Sequence, residues 1–244
     1  MAARRIIWGK CLNAGQVCIS PDYVLCSSRI MNLLKTEMEK YITQFYTDDV
    51  KSSADYGRIL NEKFFDKIIN KIKKSNLDVP ECDRESLYIK PTVYANVSPD
   101  SEIMKEEIFA PVLPLIECNS FTEAIEFINK IPKPLAIYLF TYNDEIKNSF
   151  LLKTSSGGFC LNDVIMQNSV NNLPFGGVGA SGIGRYGGYS GFKQFSNMRS
   201  VLERCSLFHQ VREPPYTDKS IKILNWLMRK PRKGVLNWIK SWNM

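Results

Sequence analysis

The side chain in this sequence best suited to covalent chemistry is the thiol of Cys18, within Asn13-Ala14-Gly15-Gln16-Val17-Cys18-Ile19-Ser20-Pro21-Asp22-Tyr23. A cysteine that follows a glycine-bearing turn and precedes a proline and a strand can present its sulfur at a cleft wall. Backbone N–H groups aimed at the same point would favour the thiolate, and then the oxyanion on a carbonyl carbon that it attacks. A small buried hydrophobe is the commoner fate of a cysteine, and residue type alone leaves both readings open. A cysteine–histidine hydrolase would need an imidazole to take the proton. The only histidine, His209, sits where the tail begins, with no binding loop or orienting carboxamide beside it. The other cysteines are Cys11, Cys26, Cys82, Cys118, Cys160 and Cys205. With no CxxC pair, an odd count and no secretory signal, they read as free thiols, and no metal site is expected.

A second concentration of unusual residues runs from Leu173 to Gly191, which holds eight of the 14 glycines. Such a stretch does not form a stable helix and reads as a loop in which backbone approaches another segment or a ligand. Gly177-Val178-Gly179-Ala180-Ser181-Gly182 fits GxGxxG, but Asn171-Asn172-Leu173-Pro174 precedes it and more glycines follow. A dinucleotide fingerprint needs a strand before it and a helix after it, so this is read as an active-site or structural loop rather than a nucleotide site.

Taken in order, three blocks resemble the aldehyde dehydrogenase family. Asn13–Cys18 is similar to the family's nucleophile motif, and Ile19–Tyr23 to its class 3, fatty aldehyde type continuation. Lys105-Glu106-Glu107-Ile108-Phe109-Ala110-Pro111-Val112-Leu113-Pro114 resembles the Glu-Ile-Phe-Gly-Pro block, with Ala110 in place of the usual glycine. Asn172–Gly184 resembles the third, and the order and separations agree from about residue 3 to 205. The resemblance implies an α/β catalytic domain, a mainly parallel sheet flanked by helices. It implies that Cys18 attacks an aldehyde, that hydride passes to NAD or NADP, and that water releases the acid from a thioester. It places Glu107 on the nicotinamide ribose, Phe109 beside the cofactor and Phe175 at the border of the aldehyde's path. Without it, Glu107 reads as a solvated acid, Phe109 as core and Phe175 as a loop aromatic capping the core. Most of the family's Rossmann-like cofactor domain, with its oxyanion-hole asparagine and general-base glutamate, does not map onto these 244 residues. A catalytically inactive fragment that acts as a dimerising or membrane-associated partner is therefore the alternative reading.

The elements that must position these groups follow from periodicity. After an opening loop and the apolar run Val24-Leu25-Cys26, the residues Ile30, Leu33, Leu34, Met38, Tyr41, Ile42 and Phe45 recur at helical spacing. A second amphipathic helix carries Phe64, Phe65, Ile68, Ile69 and Ile72, with lysines opposite. Residues 87–97 read as extended chain bent at Pro91, and Ser120-Phe121-Thr122-Glu123 as the capping box of a helix that Pro132 and Pro134 stop. The run 135–140 reads as a strand, Asn143-Asp144 as a helix start and Gly157–Leu161 as a strand; the alternation argues for a parallel, layered sheet.

The division expected is a catalytic domain over 1–191, a segment at 192–205 similar to the family's dimer-pairing strand, and a basic amphipathic tail over 206–244. A homodimer is implied. Residues 201–244 carry nine lysines and arginines against three acids, so the formal charge of +7 is concentrated there. Over 217–242, Trp226, Trp238 and Trp242 with basic neighbours suit a membrane surface, while the resemblance to fatty aldehyde dehydrogenases implies a helix folded over the substrate tunnel. No recognised nucleic-acid module accompanies these charges, so no nucleic-acid partner is expected. No 18-residue apolar run occurs, and the expected location is cytoplasmic, peripheral on a membrane surface.

Overall fold

Residues 2–11, read from sequence as loop, form the first helix of the computed structural model, α1 (Ala2–Cys11). Alanine, arginine and lysine favour the helical backbone, and the face bearing Ala3, Ile6, Ile7 and Cys11 is buried, so tertiary packing settles the choice. The structure describes residues 1–203 and 213–228. The chain divides into two compact units, Met1–Asn197 and Met198–Met244.

In the first unit, β1 (Val24–Cys26) leads into α2 (Ser28–Tyr46). The expected helix forms, but Met31, Met38, Ile42 and Tyr46 are its buried residues, whereas Ile30 and Leu33 of the expected stripe are exposed. With 3.6 residues per turn, the face centred on Met38 cannot also include Leu33. Helix α3 (Glu62–Lys74) buries Phe65, Ile68 and Ile72 as its periodicity requires. It starts where Asn61 Oδ1 accepts from Phe64 N at 2.9 Å, and it ends in lysines that suit the helix C-terminus.

The extended stretch bent at Pro91 separates β3 (Tyr88–Ile89), antiparallel to β2 (Cys82–Asp83), from β4 (Thr92–Tyr94). The central strand is β5 (Val112–Glu117), parallel to both β1 and β4 in the order β1-β5-β4. Val112, Leu113, Leu115 and Ile116 are all buried, the continuous apolar run of a strand covered on both faces. A second pair, β6 (Ala136–Leu139) and β7 (Gly158–Leu161), is also parallel and is flanked by α4 (Phe121–Lys130) and α5 (Asp144–Lys153). The start of α4 departs slightly from a capping box. Ser120 Oγ accepts from Glu123 N at 3.1 Å, but the Glu123 carboxylate accepts from Asn119 N at 2.7 Å rather than from Ser120 N.

The glycine-rich segment runs as loop to Gly187 apart from one short 3-10 turn at Gly179–Ser181, with Phe175 and Tyr186 paired through reciprocal backbone hydrogen bonds of 2.7 and 2.8 Å. Its last residues depart from expectation, since α6 (Gly188–Gln194) is helical. Gly188 occupies the first position of that helix, and Tyr189 stacks on Phe192 with Lys193 over its ring, contacts between neighbouring turns that offset the glycine penalty. No strand forms among the described residues of 192–205: Phe192–Gln194 end α6, and 196–203 have no regular secondary structure. A pairing strand obtains its hydrogen bonds from a neighbouring edge, which a single chain does not supply.

In the second unit, α7 (Asp218–Met228) begins at Thr217, whose Oγ1 accepts from Ser220 N at 3.2 Å while Thr217 N donates to Ser220 Oγ at 2.8 Å. Among the described residues no helix is long and apolar enough to cross a membrane. His209, Cys205 and the tryptophans 238 and 242 lie outside the described residues.

Candidate active site

The loop that carries Cys18 is built on strained backbone. Asn13, Ala14 and Gly15 follow one another at φ 51°, 52° and 76°, left-handed values that cost a non-glycine residue about 1 kcal/mol or more. The surroundings that hold this run in place are visible. Gln16 donates from Nε2 to the Asn13 and Arg58 carbonyls at 3.0 and 2.9 Å and accepts from Leu60 N at 2.9 Å, tying the loop to the segment before α3. Ser20 N closes a turn on Val17 O at 2.8 Å, with Cys18 and Ile19 as its central residues. Within the described residues the N–H groups of Cys18 and Ile19 donate to nothing, so both remain available beside the sulfur.

Cys18 is exposed, whereas Cys11, Cys26 and Cys118 are buried and Cys160 is half-buried. Burial pushes the Cys11 thiol up to about 12 and the Cys26 thiol up to about 11, so neither is a ready nucleophile near neutrality.

The second expected block lies against this loop. A Cβ on Gly15 would fall 2.3 Å from the Ala110 carbonyl oxygen, so the backbone of the nucleophile motif and that of the Glu107–Ala110 segment are in direct contact. The same segment is held from another side by Asp22, four residues after Cys18, whose Oδ1 accepts from Ile108 N at 3.0 Å. Phe109 takes φ 50°, and its half-buried ring meets Phe64 of α3 edge-on at 6.1 Å. Cys18's loop, Glu107 and Phe109 are thus brought together.

The two adjacent glutamates have different surroundings. Glu106 pairs with Lys67 at 3.0 Å and Lys71 at 3.7 Å. The exposed Glu107 carboxylate makes no hydrogen bond or ion pair among the described residues. Partial desolvation and then Asp22 push its pKa up, while Lys10 and Lys71 pull it down. A carboxylate left exposed and unpaired is chemically suited to accept from the hydroxyls of a ribose, and the adjacent ring offers an apolar surface. These residues fit the sugar and base of a nicotinamide nucleotide.

Phe175 is not brought to this group by any direct contact. It stands against the Tyr186 ring at 5.2 Å and lines a cavity of about 140 Å³ with Leu135, Phe159, Gln167, Leu173 and Pro174. A relay connects it to the thiol loop: the Tyr138 hydroxyl donates to Ile19 O at 2.6 Å and accepts from Gln167 Nε2 at 3.2 Å. The sequence gives no sign of a role for Asp22, Lys71 or Tyr138. Their partners lie 86, 36 and 119 residues away, beyond any local pattern. Lys10, only 2 % exposed with no hydrogen bond or ion pair among the described residues, was missed as well. Burial pulls its pKa down to about 8, against the opposing pull of Asp22, Cys11 and Glu107.

A parallel α/β layer with an exposed thiol on a loop that contacts the segment carrying an unpaired carboxylate and an aromatic ring agrees with the family comparison: the model of the aldehyde dehydrogenase family matches residues 1–201, and the chain belongs to that family. It is 44% identical over 224 residues to the dimeric NADP-preferring aldehyde dehydrogenase of Mus musculus, covering 91% of this chain and 49% of that protein. It is 39% identical over 244 residues to aldehyde dehydrogenase family 3 member A2 of Mus musculus, covering 98% and 50%. These relatives bear out the class 3 resemblance. Among solved structures, the substrate-bound state of Staphylococcus aureus AldH superposes with a TM-score of 0.83 at 37% identity, over 93% of this chain and 50% of that one. The chain spans about half the length of these relatives.

Proposed function

We propose that this chain supplies the nucleophile and the cofactor-facing wall of an enzyme that oxidises medium- or long-chain aliphatic, or aromatic, aldehydes to carboxylic acids with NAD or NADP. The observation that carries the reading is the direct backbone contact between the Gly15 turn, three residues before the exposed Cys18, and the segment bearing Glu107 and Phe109. In this mechanism the Cys18 thiolate bonds to the aldehyde carbon, and the carbonyl electron pair moves to oxygen, where the free N–H groups of Cys18 and Ile19 stabilise it. A bound nicotinamide nucleotide supplies the hydride acceptor. Loss of hydride from the thiohemiacetal carbon leaves a thioester on Cys18, and water cleaves it to the acid and the free thiol. The Glu107 carboxylate would hold the nucleotide by accepting from its ribose hydroxyls, Phe109 would offer its ring to the nicotinamide, and Phe175 would border the aldehyde's path.

Reading the absorbance of reduced nicotinamide on incubation with NAD or NADP and a medium-chain aldehyde tests this. Wild type produces it, and Cys18→Ser loses activity by on the order of a thousandfold or more while melting within a degree or so of wild type, since the side chain is exposed. A second reading, a dimerising or membrane-associated partner without catalysis of its own, draws on the half-length match to the relatives. Silence from wild type, with melting unaltered by either nucleotide, would select it.

We further propose a cytoplasmic homodimer whose residues 217–242 rest on a membrane surface. Support comes from the dimeric relative's name and from Ile221, Trp226, Lys219 and Lys222 in α7.

A further inference from the structure

One peptide unit in the site is gripped at both ends. The Glu107 carbonyl accepts from Lys71 Nζ at 3.4 Å, and the N–H of the same peptide bond, on Ile108, donates to Asp22 Oδ1 at 3.0 Å. The preceding carbonyl, that of Glu106, accepts from the same ammonium at 3.2 Å. A peptide plane held through both its oxygen and its hydrogen cannot rotate without breaking one contact, and that plane sets the direction in which Glu107 leaves the backbone. Lys71 is well placed to hold. Its side chain is only 12% exposed, and it rises from α3 two turns after Phe64, the residue that receives the Phe109 ring. Its ion pair with Glu106, at 3.7 Å, anchors the ammonium while the hydrogen bonds orient the chain.

We infer that Lys71 is a positioning residue for the cofactor wall: it fixes the Glu106–Glu107 backbone so that the Glu107 carboxylate stays free and aimed outward. The inference rests on the reading of Glu107 as a ribose acceptor, and it makes α3 a support for nucleotide binding. Arginine retains the donors and the charge, whereas methionine fills similar space and donates nothing.

Two measurements on the full chain test it. Hydrogen–deuterium exchange of the segment 105–110, without any ligand, is expected to quicken about tenfold or more in Lys71→Met, the loss of charge-assisted hydrogen bonds, and to return toward wild type in Lys71→Arg. Exchange over the rest of α3 and the melting temperature of Lys71→Arg stay close to wild type. Titration with NADH and NADPH is expected to show Lys71→Met binding about tenfold more weakly, and less than twofold weaker when added to Glu107→Gln, because the two residues act through one group. Unchanged exchange at 105–110 overturns the inference whatever the nucleotide does. Quickened exchange with unchanged affinity, while Glu107→Gln weakens binding, overturns it too. If Glu107→Gln binds both nucleotides as wild type does, the ribose reading itself falls and takes the cofactor role of Lys71 with it.

Discussion

Lys10 is the residue least expected from its type. It lies on the buried face of α1, near enough to Asp22 and Glu107 for both to favour its charge, yet burial dominates. Its folded pKa of about 8 lies below the ordinary 10.5, so between these values the unfolded chain binds a proton that the folded chain does not. The contribution of Lys10 to stability therefore rises with pH across that window, and below about pH 8 the full cost of burying the ammonium is present. Relative to Lys10→Met, the wild type should gain on the order of 3 kcal/mol between about pH 8 and 10.5, read from urea unfolding at both ends of the range. A constant difference across the window would show that the ammonium reaches water more freely than its burial indicates.

At the scale of elements, the decisive feature is a loop seated on a strand entry. Gly15 combines a left-handed φ of 76° with a Cβ position 2.3 Å from a backbone carbonyl, and neither can be relieved by turning a side chain. Gly15→Ala should cost more than about 2 kcal/mol and loosen Cys18 together with the 107–110 segment. Gly158 in β7 is the control, because a Cβ there would meet nothing nearer than Gln167 Cγ at 3.8 Å. Alanine at that position should change stability by under about 1 kcal/mol in the same denaturation experiment.

Across the first unit as a whole, two apolar cores must be kept in register. The larger is formed by α1, α2, α3, β4 and β5, and the smaller gathers Cys118, Ala124, Ile125, Ile128, Ile137, Leu139 and Phe150. Tyr138 on β6, between Ile137 and Leu139 of the smaller core, reaches back to the Ile19 carbonyl beside the nucleophile and also receives Gln167. Tyr138→Phe leaves an acceptor and a donor without partners and should cost about 1–3 kcal/mol. A double-mutant cycle with Gln167→Leu checks the relay: strong non-additivity is expected, and additive effects would mean that the two contacts are independent.

The identity of the nucleophile candidate, the Glu107–Phe109 block, the parallel α/β class and the faces of α3 and α4 were all legible in the sequence. The class and the helix faces are written in local patterns, apolar residues at helical spacing and a serine three residues before a glutamate, whereas Cys18 as nucleophile and Glu107 and Phe109 at the cofactor are legible only through the resemblance to the family. Helix α1 is not legible in the sequence because ten residues with mixed character become helical only when Ile6 and Ile7 find a core to enter. Tertiary structure alone decided that Glu106 takes the lysines while Glu107 is left unpaired, and that Asp22, Lys71 and Tyr138 converge on the site. Each of those outcomes depends on contacts between residues far apart in the chain, and hydrogen bonds of about 3 Å are set by how whole elements pack rather than by any neighbour in sequence.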